Sequence, residues 1–139
     1  MDPRIIIPPV AAGMAAPAGH YSHAVCHGGL AFISGQLGVR PDGTHTAELP
    51  FEDQVRQTLM NLRLALESAG ADLGSVVRVT AYIVGVEHWP RFNAVYASVM
   101  GPARPARTVV PVHELHHGYL LEVDAIAVRS HPGGVSVPS

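Results

Sequence analysis

The chain has 139 residues, of which 47% are hydrophobic and 14% are charged. This length and apolar content suit one folded domain with one core and exclude a disordered chain. The formal net charge of −2 provides no basic field, so we expect no nucleic-acid partner. The one cysteine, Cys26, has no partner for an internal disulfide, which fits a reducing compartment.

The N-terminal segment carries a short apolar run, Ile5 to Ile7, that ends at Pro8 and Pro9. A run of this length is too short for a signal peptide or a membrane span. We therefore expect a cytoplasmic protein that does not bind membranes. Residues 1–129 are expected to form a single domain, followed by a flexible C-terminal tail of residues 130–139, which are rich in Gly, Pro and Ser.

The next segments predict a β-hairpin and then a long helix. Residues 23–27 and 30–35 flank Gly28-Gly29, and two glycines between apolar runs are typical of a tight hairpin turn. From residue 51 onward apolar residues recur at helical spacing, which predicts one buried stripe. The stripe consists of Phe51, Val55, Leu59, Leu62, Leu66 and Ala69. Pro50 before it and Gly70 after it are typical helix boundaries.

The second half of the chain predicts a strand, a helix and two more strands. The first strand covers residues 76–83 and the helix runs from about residue 87 to residue 100. The last two strands cover residues 107–113 and 119–128. The residues expected on buried faces are Val77, Val79, Ala81 and Ile83 in the first strand, Trp89, Phe92, Tyr96 and Val99 in the helix, and Leu121, Val123, Ala125 and Ala127 in the last strand.

This order of elements predicts an α+β fold. Two amphipathic helices cover only one face of such a sheet. The uncovered face would carry Thr80, Tyr82, Val110 and Val112, which is more apolar than a water-exposed face requires. We therefore expect this face to pack against another copy of the chain in a homo-oligomer.

Residues 113–117, His-Glu-Leu-His-His, formally match the H-E-x-x-H pattern of zinc proteases. That chemistry requires a helix, on which two histidines four residues apart meet one metal ion. Here a β-branched run precedes the motif and Gly118 follows it, so the pattern indicates a strand that ends in a loop. On a strand, residues four apart lie about 13 Å from each other. A solvated histidine loop is the preferred interpretation, and an adventitious metal site between copies stays open.

Arg107 begins the strand of residues 107–113, beside a run of β-branched residues. An arginine in such a place needs a partner, and its planar guanidinium binds a carboxylate at two points. The last strand carries Glu122 and Asp124 on the face opposite its apolar residues. If the two strands are neighbours, Arg107 and Glu122 meet. The residues alone leave two interpretations open: a functional carboxylate site and a cross-strand ion pair without function.

Several short motifs stand in an order that resembles the Rid family, also called YjgF, of reactive intermediate deaminases. The resemblance covers about residues 19–128. Any one of the motifs is weak evidence, but all of them together, at matching separations, are specific. In chain order they are Tyr21-Ser22, Ser34-Gly35-Gln36, Gln57 with Leu59 and Asn61, Val76-Val77-Arg78-Val79-Thr80, Asn93-Ala94-Val95-Tyr96, Pro105-Ala106-Arg107-Thr108 and Glu122-Val123-Asp124-Ala125-Ile126-Ala127.

The resemblance implies a chorismate-mutase-like fold, a mixed sheet with two helices on one face, assembled as a homotrimer with active sites at the subunit interfaces. It implies hydrolysis of 2-imino acids and enamines such as 2-aminoacrylate to 2-keto acids and ammonia, with no cofactor and no metal. The alternative is a non-catalytic member of the same fold that binds small carboxylates or regulates another process. RNA cleavage is a third alternative, which the negative net charge disfavours.

The resemblance also assigns roles to five residues. Arg107 binds the substrate carboxylate, and Glu122 positions or activates the attacking water. Tyr21 lines the cleft, Gly35 brings the backbone close to the ligand, and Asn93 is a supporting polar group.

Around these residues the sequence departs from the common family pattern. His20 stands in place of a proline, His23 in place of a glutamine and Val109 in place of a cysteine, and residues 113–118 replace a loop built around a proline. Because the departures lie on the rim of the expected site, they favour a bulkier or different imino acid rather than a different reaction. For His20 and His23 themselves, exposure at a strand edge is the preferred interpretation over contact with the cleft.

Overall fold

The computed structural model describes residues 1–130, in which a six-stranded mixed sheet carries two helices on one face. The strand order across the sheet is β1-β2-β3-β6-β4-β5. Strands β4 and β5 pair in parallel, and all the other neighbours pair antiparallel. The strands are β1 (Ile5–Ile6), β2 (Ala24–His27), β3 (Leu30–Gln36), β4 (Val76–Val84), β5 (Ala106–Val112) and β6 (Leu121–Val128), and the helices are α1 (Phe51–Ser68) and α2 (Trp89–Met100).

The predicted hairpin and first helix are confirmed. Strands β2 and β3 pair across the Gly28-Gly29 turn, where Gly28 has a positive φ of 57°. Every residue of the predicted apolar stripe of α1 is buried against the sheet. Beyond the last turn Gly70 adopts a φ of 78°, a left-handed conformation that favours glycine and lets the chain leave the helix.

The second helix differs from its prediction at its start. A short 3-10 helix, Val86–His88, precedes α2, and Pro90 occupies its first turn, where proline is tolerated. Trp89 was expected to be buried, but it is 43% exposed. It lies at the first position of α2 and borders an open depression with Pro111 of the edge strand, so the sheet does not cover it fully.

Two strands also differ from their predictions. Val77 was expected on the buried face, but a bulge between Val76 and Arg78 turns it outward, and Val76 is buried instead. The last strand begins at Leu121 rather than at Tyr119, because a 3-10 helix, His116–Gly118, occupies the approach to it.

Strand β1 was not predicted. Ile5 and Ile6 pair with the outer edge of β2 opposite His27 and Cys26. Two residues are too few to show the alternation by which a strand is recognised in a sequence. The apolar run of Ile5 to Ile7 thus extends the sheet by one short strand.

The sheet face that the helices leave uncovered is partly apolar, as predicted. Phe32 and Ile126 are register partners on this face, and Leu30 pairs there with Val128. Phe32 is 42% exposed in the single chain and Val128 is 45% exposed. Exposed apolar patches of this kind mark protein–protein contacts.

The predicted tail lies outside the described residues from residue 131 onward. Within residues 1–130 no helix is long and apolar enough to cross a membrane.

A buried glutamine holds α1 to the loops around it. Gln54 is 1% exposed, and its side-chain amide donates to the backbone carbonyls of Ala47 and Leu49. Its carbonyl Oε1 accepts the N–H of Leu120, 3.1 Å away, just before β6. One side chain therefore satisfies three backbone groups from two separate loops, since a buried backbone group without a partner is costly.

We expect Gln54→Leu to lower the free energy of unfolding by about 2–4 kcal/mol, because it leaves buried backbone groups without partners. Urea denaturation followed by circular dichroism measures this loss. Gln57→Leu on the same helix is the matched control with a smaller expected loss, because among residues 1–130 the side chain of Gln57 makes one hydrogen bond, to Asn61, rather than three. Equal losses for the two variants would contradict the role given to Gln54.

Candidate active site

Three of the predicted site residues line one open cleft. Tyr21, Gly35 and Glu122 surround a space of about 460 Å³ between the N-terminal loop, β3 and β6. His116 and His117 form the rim of the same cleft. We call this space the Glu122 cleft.

A bulge in β3 places Gly35 beside Glu122. The pairing of β3 with β6 shifts between Ile33, which faces Ala125, and Gln36, which faces Val123. The extra residue turns Gln36 into the core and leaves Gly35 against the carboxylate. A Cβ atom at position 35 would lie 3.0 Å from Cδ of Glu122, so any larger residue would push this carboxylate by a few tenths of an ångström.

Glu122 is half-buried on the outer face of β6. Burial raises the pKa of its carboxyl group above the ordinary 4.5, while His116 lowers it and Asp124 raises it further. Asp124 itself accepts a hydrogen bond from the hydroxyl of Tyr82 at 3.0 Å. A carboxylate with a raised pKa is a stronger base than an exposed one, which suits a proton acceptor.

The other two predicted residues, Arg107 and Asn93, lie together on the helix side of the sheet. Arg107 is opposite Val79 in the parallel pairing of β4 with β5, and Val79 is fully buried under the helices. Nη1 of Arg107 donates to Oδ1 of Asn93 on α2 at 3.0 Å. Its guanidinium carbon stands 4.8 Å from the ring centre of Tyr96 and 5.6 Å from that of Phe92. Hydrogen bonding and cation–π contacts thus fix the orientation of the guanidinium.

The remaining N–H groups of Arg107 make no hydrogen bond to any residue of the described part of the chain. They border a groove of about 480 Å³ at the sheet edge, which Asn93 and Tyr96 also line. The hydroxyl of Tyr96 is buried and has no hydrogen-bond partner within residues 1–130, and burial raises its pKa while Arg107 lowers it. We call this space the Arg107 groove, and its free donors suit a carboxylate.

The structure does not bring Arg107 and Glu122 together in one chain. Strand β4 lies between β5 and β6, so the condition for their meeting, that the two strands are neighbours, is not met. Glu122 is opposite Tyr82 on the outer face, whereas Arg107 is opposite Val79 on the helix face. The four ion pairs of residues 1–130 involve other arginines. A cross-strand ion pair between Arg107 and Glu122 is therefore excluded within the chain.

The histidine motif forms a loop, as predicted. Residues 113–115 follow β5 without helical structure, and His117 has a φ of 60° inside the 3-10 turn that comes next. The ring of His117 stacks on that of His45, with ring centres 4.1 Å apart. Among residues 1–130, no three histidine, cysteine or acidic side chains lie close enough to hold a metal ion.

Exposure at a strand edge, the preferred interpretation for His20 and His23, holds for only one of them. His20 is exposed, as expected, but His23 is half-buried and bonded on both ring nitrogens. Its Nε2 lies 2.8 Å from the carbonyl oxygen of Ala15, and its Nδ1 lies 3.2 Å from the side-chain amide of Gln36. Because the amide of Gln36 donates, Nδ1 accepts and the ring proton resides on Nε2.

The structure adds residues that the sequence did not single out. A smaller pocket beside the Glu122 cleft is lined by Met14 and Ala15 of the N-terminal loop and by Val39 and His45 of the loop after β3. These residues show no periodicity and belong to no recognised motif. Only the path of the two loops over α1 brings them together.

Comparison with known proteins agrees with the predicted family. A family model described as Endoribonuclease L-PSP matches residues 13–129. A RutC family protein of Pyrococcus horikoshii is 37% identical over 113 residues, covering 81% of this chain and 90% of the relative. A Dermatophagoides farinae protein named 2-iminobutanoate/2-iminopropanoate deaminase is 32% identical over 125 residues, covering 90% of this chain and 95% of the relative.

A solved structure shows the same architecture. The crystal structure of E. coli TdcF with bound serine matches with a TM-score of 0.83 at 29% identity, covering 90% of this chain and 99% of that chain. This similarity confirms the predicted mixed sheet with two helices on one face. The chain therefore belongs to the Endoribonuclease L-PSP family, which is the Rid or YjgF family that its motifs predict.

Proposed function

We propose that the protein hydrolyses reactive 2-imino acids and their enamine tautomers to 2-keto acids and ammonia. The observation that carries this proposal is the pair of open half-sites. One holds a carboxylate with a raised pKa, and the other holds an oriented guanidinium with unused donors. An imine is already electrophilic, so its hydrolysis requires only that the substrate be held, a water placed and protons moved.

We further propose that a second copy of the chain joins the two half-sites. Arg107 lies on the edge strand β5, and Glu122 lies beside the partly apolar outer face that contains Phe32. If the edge of one subunit packs on the outer face of the next, Arg107 reaches the Glu122 cleft of its neighbour. A contact between two different surfaces closes into a ring when the rotation fits, and the family resemblance indicates a homotrimer. Each of its interfaces would then contain one complete site.

In such a site each residue has a separate role. Arg107 binds the substrate carboxylate at two points, while Asn93 holds the guanidinium in orientation. Glu122 takes a proton from water as the water oxygen bonds to the carbon of the protonated imine, which gives a neutral carbinolamine. The carboxyl group then returns this proton to nitrogen. As the C–N bond breaks and ammonia leaves, the carboxylate takes the hydroxyl proton, the carbonyl forms, and the proton finally passes to ammonia to give ammonium. An enamine first gains a proton at C3 to become the imine.

Two relatives support this proposal. The Dermatophagoides farinae relative is named as a deaminase of 2-iminobutanoate and 2-iminopropanoate. The E. coli neighbour was crystallised with serine, a small amino acid that carries a carboxylate. Other relatives are named only as RutC family proteins, and their names specify no reaction. The family model is described as an endoribonuclease, but a net charge of −2 does not favour RNA as a substrate.

We expect Arg107→Ala to reduce kcat/KM for imine hydrolysis by about 30- to 4,000-fold, because the substrate carboxylate loses a counter-ion worth about 2–5 kcal/mol. Release of 2-keto acid from imines generated in situ by an amino-acid oxidase measures the rate. Arg107→Lys keeps the charge but not the planar fork, so an intermediate loss is expected. Arg63→Ala, an exposed change on α1, is the control.

Unchanged activity in Arg107→Ala would show that the substrate carboxylate binds elsewhere. If wild type binds carboxylates but does not hydrolyse imines, the non-catalytic alternative is favoured.

We expect Glu122→Gln to lower kcat by about 10²- to 10⁴-fold, since the variant has no general base. In the wild type, kcat falls on the acid side with an apparent pKa above 4.5, because burial disfavours the ionised carboxylate. In the substrate complex, the guanidinium of Arg107 from the neighbouring subunit does not lower the pKa of Glu122 back to its ordinary value, because the substrate carboxylate neutralises the charge of that guanidinium. A profile of kcat against pH from 4 to 9 tests both statements, and a wild-type acid limb at or below the ordinary carboxyl pKa would contradict the second.

The same raised pKa predicts the sign of a stability change. Ionisation of Glu122 costs folding free energy, so its stabilising contribution is complete below the ordinary carboxyl pKa and is lost as the pH rises through the folded-state value. In an Arg107→Ala background, in which no guanidinium of a neighbouring subunit faces Glu122, adding Glu122→Gln should therefore raise the melting temperature at pH 8. The difference should disappear near pH 4.

We expect Gly35→Ala to lower kcat by about 10-fold or more with a smaller effect on KM, because the new Cβ displaces the carboxylate of Glu122 from its place. Steady-state kinetics and the melting temperature together measure the effect. Wild-type kcat in a folded Gly35→Ala protein would show that the position of Glu122 does not matter for the reaction.

A further inference from the structure

A second pocket opens directly from the Glu122 cleft. It encloses about 210 Å³, and its lining shares Tyr21, Gly35, Leu37 and His117 with the cleft. Because these residues border both spaces, a ligand whose reacting carbon lies beside Glu122 can place its substituent at the mouth of this pocket. We call it the side pocket.

The N-terminal loop forms the roof of the side pocket and is held in place at two points. A Cβ atom at Gly13 would lie 3.6 Å from Leu64 of α1, which shows how closely the loop approaches the helix. Two residues later, the carbonyl of Ala15 accepts the Nε2–H of His23 at 2.8 Å. Between these points, Met14 packs against the buried core.

The opposite wall is held by a buried asparagine. Asn61 is 4% exposed, and its Nδ2 donates to the backbone carbonyls of Leu37 and Val39 at 2.9 and 2.8 Å. Val39 also pairs with His45 across the loop. Since buried hydrogen bonds fix both walls, the side pocket exists before any ligand binds.

The chemistry of the walls suits an apolar group. Met14, Ala15, Leu37 and Val39 supply aliphatic surface, and the polar groups of His23 and Asn61 are bonded to the protein itself. An apolar cavity of about 150 Å³ is known to bind benzene. At about 210 Å³, the side pocket has room for a phenyl ring or a branched alkyl group.

We propose that the side pocket is the subsite for the substrate side chain, so that the protein prefers 2-imino acids with a large apolar side chain over 2-iminopropanoate. This inference rests on the proposed imine hydrolysis for its reacting group, and on the side pocket for its selectivity. A methyl side chain leaves the side pocket empty, whereas a benzyl or isobutyl side chain fills it. Removing such a group from water favours binding, so kcat/KM should rise by about 10- to 100-fold over the methyl substrate.

The first test compares imines made in situ by an amino-acid oxidase from alanine, leucine and phenylalanine. The expected order of kcat/KM is phenylalanine and leucine imines above the alanine imine by about 10-fold or more. Val39→Phe fills the side pocket, so it should lower kcat/KM for the phenylalanine and leucine imines by about 10-fold more than for the alanine imine. Val86→Phe, at an exposed position that lines neither the side pocket nor the Glu122 cleft, is the matched control. Equal rates on the three imines in wild type, or an equal loss on all three in Val39→Phe, would overturn the proposal.

A binding measurement separates failure of the subsite from failure of the proposed reaction. If no imine is hydrolysed above the uncatalysed rate, the proposed function fails, and titration calorimetry with pyruvate and phenylpyruvate decides about the side pocket. Tighter binding of phenylpyruvate by about 10-fold, lost in Val39→Phe, supports the subsite. Equal affinity of wild type for the two keto acids overturns it, and this comparison does not depend on whether the variant folds.

Discussion

The position of β4 between β5 and β6 controls how the charged residues of this protein can act. Its parallel pairing with β5 places Arg107 opposite Val79, and its antiparallel pairing with β6 places Glu122 opposite Tyr82. Because side chains alternate between the two faces of a sheet, the guanidinium points to the helix side and the carboxylate to the outer side. Neither neutralises the other within one chain, so both charges stay available for a ligand or for a neighbouring subunit.

Hydrogen bonds and ring contacts hold the surroundings of each half-site in place. The bulge of β3 gives Glu122 its space, Gln54 fixes the approach to β6, and Asn61 fixes the loop after β3. On the other side, Asn93 and the ring of Tyr96 orient Arg107. Such support matters because a reacting group must be held within a fraction of an ångström of its working position.

The structure shows the contacts of residues that depart from the family pattern. His23 replaces a glutamine common in the family, and its ring bonds the N-terminal loop at Ala15 on one side and Gln36 on the other. The stacked pair of His45 and His117 lines the same region. The residues proposed for chemistry keep the family pattern, while His23 and the loop of residues 113–118 contribute to the walls beside Glu122. This division fits the proposed reaction, with the substrate side chain bound in the side pocket as proposed.

The sequence by itself determined the two helices, strands β2 to β6 and most of the helix-facing core, because the α1 stripe from Phe51 to Ala69 and the alternation of β6 are local patterns. It also determined the family, because ordered motifs need no coordinates. Its errors at Val77 and Trp89 arose where a bulge and the end of the sheet changed which face a residue presents. Only the tertiary structure decided that Arg107 and Glu122 lie on opposite faces, and that two loops without a pattern enclose a pocket. Strand order and the path of loops depend on contacts between residues far apart in the chain, and no local pattern records them.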